Sequence, residues 1–188
     1  MSKLVLGETR SVGFFIVATL AIFLFSNPVL AGTEIQITNN ASDQFSPYVT
    51  GNRIVWEDWR DGNPEIYMYD ISSQSLRRIT ENSFSQQQPV ISGDKIFWTD
   101  FRTGNLRRDI FMYDLIADTE TRLINAPENQ YVWDTSANKI VWMDDRNIFR
   151  DIYVYDLDMQ TTNRLTTGDA NNTIRPHFGR VISLAFRR

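Results

Sequence analysis

The chain has 188 residues, 42% hydrophobic, 22% charged and 13% aromatic, with a formal net charge of -4. That composition suits one folded domain and argues against bulk disorder. Mild acidity argues against a nucleic-acid partner, which needs clustered positive charge. The absence of cysteine removes disulfide support, thiol catalysis and thiolate metal sites.

The first segment stands apart. Lys3 and Arg10 precede an apolar run from Val12 to Phe25, broken by Ser26-Asn27-Pro28. The run fits a secretory signal core and is short for a membrane span. Residues 1–31 are therefore expected to be a signal peptide, cleaved after Ala31, with retention as an anchor the alternative. Either way the rest of the chain is expected to be extracytoplasmic: secreted, on the cell surface or in the periplasm.

From residue 34 onward the chain repeats itself. Arg53-Ile54-Val55-Trp56-Glu57-Asp58-Trp59-Arg60 recurs as Lys95-Ile96-Phe97-Trp98-Thr99-Asp100-Phe101-Arg102 and as Lys139-Ile140-Val141-Trp142-Met143-Asp144-Asp145-Arg146. A second block, Glu65-Ile66-Tyr67-Met68-Tyr69-Asp70, recurs from Asp109 and from Asp151. A third, Arg77-Arg78-Ile79-Thr80, recurs from Thr121 and from Asn163. Trp56 to Trp98 is 42 residues and Trp98 to Trp142 is 44. One insertion between Arg102 and Ile110 accounts for the difference. The blocks are short, rich in β-branched and aromatic residues, and bounded by Gly, Asn, Asp and Ser, as strands are. Their nearly continuous apolar runs predict burial on both faces.

Four strands in a unit of this length is the period of a propeller blade. Strands A to D are placed at Tyr48, Trp56, Tyr67 and Ile79, giving blades at about 45–82, 88–125 and 131–167. Glu34–Thr38 matches strand D as an orphan strand, and residues 174–188 match A and B as a partial last blade. The predicted class is an all-β propeller of four-stranded antiparallel blades, incomplete or truncated. Its unpaired edges offer a route to self-association.

These residues resemble the TolB-like propeller repeat. The resemblance rests on Ile37-Thr38-Asn39-Asn40, Pro47, Ile54-Val55-Trp56 and Arg60-Asp61-Gly62-Asn63-Pro64-Glu65-Ile66-Tyr67. The Tyr-x-Tyr-Asp endings are similar to repeats of archaeal cell-surface proteins. The resemblance covers residues 34–188 and implies a propeller fold with an extracytoplasmic protein-contact role. It also brings in related oligogalacturonate lyases, which use several histidines and a metal; here His177 is the only histidine.

No catalytic, cofactor or metal residue is nominated, and no cofactor is expected. Trp56, Trp98 and Trp142 are assigned to blade packing, since aromatics bury large areas. Asp58, Asp100 and Asp144, with Arg60, Arg102 and Arg146 two residues on, form pairs on one strand face. Each is either a structural ion pair or part of an arginine rim toward a partner. The partner expected is a cell-envelope protein or a surface glycan. A non-catalytic interaction module is the leading expectation. The alternatives are a carbohydrate-binding or lyase- or glycosidase-like propeller, or a fragment of a larger surface propeller. Asn40-Ala41-Ser42 and Asn171-Asn172-Thr173 match the glycosylation sequon.

Overall fold

In the computed structural model the described residues are 34–104 and 107–166. They form twelve strands in three antiparallel sheets. Blade 1 holds β1 (Gln44–Thr50), β2 (Arg53–Asp58), β3 (Glu65–Asp70) and β4 (Ser75–Arg78), paired in that order. Blade 2 holds β5 (Gln86–Ser92), β6 (Lys95–Asp100), β7 (Asp109–Asp114) and β8 (Thr119–Ile124). Blade 3 holds β9 (Gln130–Ser136), β10 (Lys139–Asp144), β11 (Asp151–Asp156) and β12 (Thr161–Arg164). The three predicted blades are thus present, and no helix occurs among the described residues. The predicted signal segment and partial last blade lie outside those residues.

Two expectations on strands change. Residues 34–39 form no strand. A strand exists by pairing, and the partners expected for this one lie in the last partial blade. The D strands of blades 1 and 3 also sit earlier than placed, β4 ending before Ile79 and β12 before Leu165, whereas β8 covers its predicted block through Ile124. In blade 1 the Ile66 carbonyl accepts from the Ile79 N–H at 2.8 Å, while the Thr80 hydroxyl accepts from the Ile66 N–H at 2.8 Å. The hydroxyl enters the ladder and ends it.

Period-2 alternation builds the seams between blades. Val55, Ile66, Met68 and Ile79 of blade 1 meet Ile91, Ile96, Trp98, Phe111 and Tyr113 of blade 2. The opposite face of blade 2, with Val90, Phe97, Ile110 and Ile124, meets Val132, Ile140, Trp142 and Tyr153 of blade 3. A backbone bond repeats at each seam: Gln86 N–H to the Pro64 carbonyl and Gln130 N–H to the Arg108 carbonyl, both 2.9 Å. The continuous apolar B and C strands are buried on both faces, as expected. The outer D strands β4 and β12 are mostly exposed.

Blade 1 has no preceding blade among the described residues, and its side chains register that. Val49 is 62% exposed, whereas Ile91, which pairs with Ile96 as Val49 pairs with Ile54, is 1% exposed. Trp56 and Ile54 line a cleft of about 180 Å³ together with Ile37, Phe45 and Pro47.

The A–B turns need a left-handed residue. Gly51 and Gly93 supply it at φ +56° and +55°; blade 3 uses Ala137 at φ +51°. A Cβ in that conformation is disfavoured. Ala137→Gly is therefore expected to raise stability by about 0.5–1 kcal/mol, read as a higher urea midpoint at unchanged slope.

Candidate functional site

One cluster is built three times at the end of the blades where strand B turns into strand C. The Trp56 indole N–H donates to Asp58 Oδ2 at 3.0 Å, and Arg60 grips the same carboxylate through Nε (2.9 Å) and Nη2 (2.5 Å). The Arg60 backbone N–H adds a bond at 3.1 Å. The Arg60 guanidinium lies 4.4 Å from the Tyr67 ring centroid, and Tyr67 stacks on Trp56 at 6.2 Å. Blade 2 repeats this with Trp98, Asp100, Arg102 and Phe111. Blade 3 repeats it with Trp142, Asp144, Arg146 and Tyr153.

The three aspartates are fully buried, and their arginine side chains are 25–28% exposed. Each arginine is thus held by its own aspartate and by an aromatic face. Trp98 and Trp142 also stand in the seams between blades.

Burial pushes the Asp58 and Asp144 carboxyls up. The hydrogen bonds from Arg60 and Trp56, and from Arg146 and Trp142, outweigh it and hold both below the usual carboxylate range. In the unfolded chain these groups take up protons near pH 3.9. Their stabilisation is complete above that value and is lost as pH falls through the lower folded values. Acid unfolding is expected below about pH 4. Asp58→Asn and Asp144→Asn should flatten the pH dependence of the denaturation midpoint in that window.

Two further repeated groups carry no apolar signature. Glu65, Asp109 and Asp151 open strand C and are fully buried. Glu65 accepts from Thr80 Oγ1 at 2.6 Å and from the Asn82 N–H at 3.1 Å, with Arg78 at 3.3 Å. Asp109 pairs with Arg122 at 2.8 Å, and Asp151 with Arg164 at 2.7 Å. Gln44 and Gln86 open strand A, and each donates to an asparagine, Asn40 and Asn82, at 2.9 and 2.8 Å. The Asn40 amide nitrogen is itself buried, so the folded sequon at Asn40 is closed to a glycan. These residues tie the D–A loop to the B–C turn. Asn63 completes the tie by donating to the Asn82 and Phe84 carbonyls at 3.0 and 2.6 Å.

Where strand C ends, Asp70, Asp114 and Asp156 each accept backbone N–H bonds from the following turn. Lys95 and those N–H groups hold Asp114 down to about 2. Along the inner strands, Tyr48 donates to Asp134 at 2.7 Å, linking blades 1 and 3. A cleft of about 230 Å³ lies beside it, lined by Pro47, Pro89, Val132 and Trp133 among others. No group of three or more metal-ligating side chains is assembled among the described residues.

Three blades in series, each closed by the same Trp–Asp–Arg–aromatic cluster, define a β-propeller repeat protein. No family model and no curated protein matches the chain. Solved structures do. TolB from Acinetobacter baumannii is similar at 23% identity and TM-score 0.59, over 75% of this chain and 37% of that one. The β-propeller domain of the Trilobed protease from Pyrococcus furiosus is similar at 15% identity and TM-score 0.57, over 69% and 44%. Dipeptidyl peptidase 4 from Porphyromonas gingivalis is similar at 16% identity and TM-score 0.56, over 66% and 18%. The chain therefore spans less than half the length of each of these structures. Its fold is that of a TolB-like β-propeller, here of three described blades.

Proposed function

We propose that the chain is an exported, non-catalytic scaffold that holds a protein partner on the end of its blades where the B–C turns and D–A loops meet. One observation carries this reading: that end exposes aromatic side chains beside its repeated arginines. Phe45 is 48% exposed, Trp59 40%, Phe84 46% and Phe149 44%. Phe45 and Trp59 meet edge to face at 6.4 Å. Aromatic residues and arginine are what protein interfaces concentrate, and loops on a rigid scaffold are where binding sits. Arg60, Arg102 and Arg146 hold the rim, each kept in place by Asp58, Asp100 or Asp144. Export rests on the sequence pattern of residues 1–31.

A photo-crosslinking residue placed at Trp59 or Phe149 tests this in intact producing cells. A discrete protein adduct is expected from both positions and none from Ile116, which is exposed in a C–D turn. Equal labelling from Ile116, or no protein adduct from Trp59 and Phe149, would overturn the reading.

A further inference from the structure

Among the described residues every lysine and arginine but one lies within ion-pair distance of a carboxylate. The exception is Arg108, at the end of the B–C connection of blade 2. Its side chain is nonetheless held in place. The guanidinium lies 4.8 Å from the Phe101 ring centroid and 5.0 Å from that of Tyr131, across the seam in blade 3. Its Nη1 donates to the Tyr131 hydroxyl at 3.2 Å. Nε and Nη2 make no bond among the described residues.

The molecule shows three times what that free edge is suited to. In Arg60, Arg102 and Arg146 an aromatic face supports the guanidinium while Nε and Nη2 grip a carboxylate side-on. Arg108 has the aromatic support and the same edge but, among the described residues, no acid. A planar fork already fixed in direction loses little freedom on pairing with a carboxylate. The neighbouring charges leave the site positive. Arg150 lies 4.8 Å from the Tyr131 centroid and pairs with Asp145 at 2.7 Å. Asp145 also accepts from the Tyr131 hydroxyl at 3.3 Å. Among the described residues Arg108 remains the uncompensated charge.

We propose that the Nε–Nη2 edge of Arg108, between Phe101 and Tyr131, is an anion site that takes the carboxylate of an acidic side chain in a protein partner. Apolar surface beside the site favours a peptide over a saccharide. Ile148, 96% exposed, and Phe149 precede Arg150 on the adjoining turn. An acidic residue flanked by aliphatic ones would fill both. The inference rests on the proposed protein-contact role and gives the partner its chemistry.

The test uses the full chain and reads the Arg108 Nε–H signal by nuclear magnetic resonance. The probe is the blocked tripeptide acetyl-Leu-Glu-Leu-amide, with its glutamine analogue and galacturonate as comparisons. The glutamate peptide is expected to move the Arg108 signal saturably, with Kd of order 1 mM, and the glutamine analogue not to move it. Arg108→Gln is expected to weaken the peptide's effect on neighbouring amide signals about tenfold. The variant should fold, because the backbone at 108 is anchored by its own bonds to Asn129 and Gln130 at 3.0 and 2.9 Å. An Arg108 signal indifferent to the glutamate peptide would overturn the anion site, whether or not Trp59 captures a partner. Saturation by galacturonate at lower concentration than by the peptide would overturn the protein as its source.

Discussion

Asp100→Ala is expected to destabilise the protein by about 3 kcal/mol, the lower end of the range for breaking a buried ion pair. The buried carboxylate accepts from the Trp98 indole at 2.8 Å and from Arg102 at its backbone N–H, Nε and Nη2, all within 2.9 Å. Removing it strands an indole N–H in a seam and an arginine between a phenyl ring and the place the acid held. The arginine keeps Glu120 as a partner and is 25% exposed, so part of its charge is compensated. That is why the expected loss lies at the lower end. Asp100→Asn keeps the shape and one acceptor, so its loss should be smaller, about 2 kcal/mol. The check is the denaturant midpoint by tryptophan fluorescence and circular dichroism. A loss under about 1 kcal/mol for Asp100→Ala would mean that the aromatic stack alone holds the arginine.

The blades were legible because their B and C strands are apolar on both faces and recur in fixed spacing. Trp-x-Asp-x-Arg was legible as a pattern. Its two readings were not separable from sequence, since the aromatic that receives each arginine lies on the next strand. The glutamines Gln44, Gln86 and Gln130 and the acids Glu65, Asp109 and Asp151 carry no mark as sites, because polar residues at strand ends look like loop residues to a hydrophobic reading, even though all but Gln44 are fully buried. Their recurrence at the same 42- and 44-residue intervals was the signal available. Arg108 belongs to the insertion that the repeat comparison treats as variable loop, so nothing in the spacing marks it. Its meaning depends on Tyr131, which lies in another blade.

The Trp56 and Trp98 positions separate what a repeat encodes from what its place in the array supplies. Both indoles donate to a buried aspartate and stack on the ring of strand C at 6.2 Å. Trp98 is fully buried between Met68, Ile66 and Val55 of blade 1 and the residues of its own blade. Trp56 lines the cleft on the front of blade 1. Trp98→Ala removes a filled seam and is expected to cost about 4 kcal/mol. Removing Trp56, only 3% exposed, loses the same hydrogen bond and opens a void beside that cleft instead of inside a seam, so Trp56→Ala is expected to cost about 3 kcal/mol, the lower end of the range for a buried aromatic. The comparison is internal, since the same atoms leave the same repeat position. A partner that seats itself on the front of blade 1 would raise the cost of Trp56→Ala toward that of Trp98→Ala. Equal losses in the purified chain would mean that the front of blade 1 is covered as closely as the seam behind it.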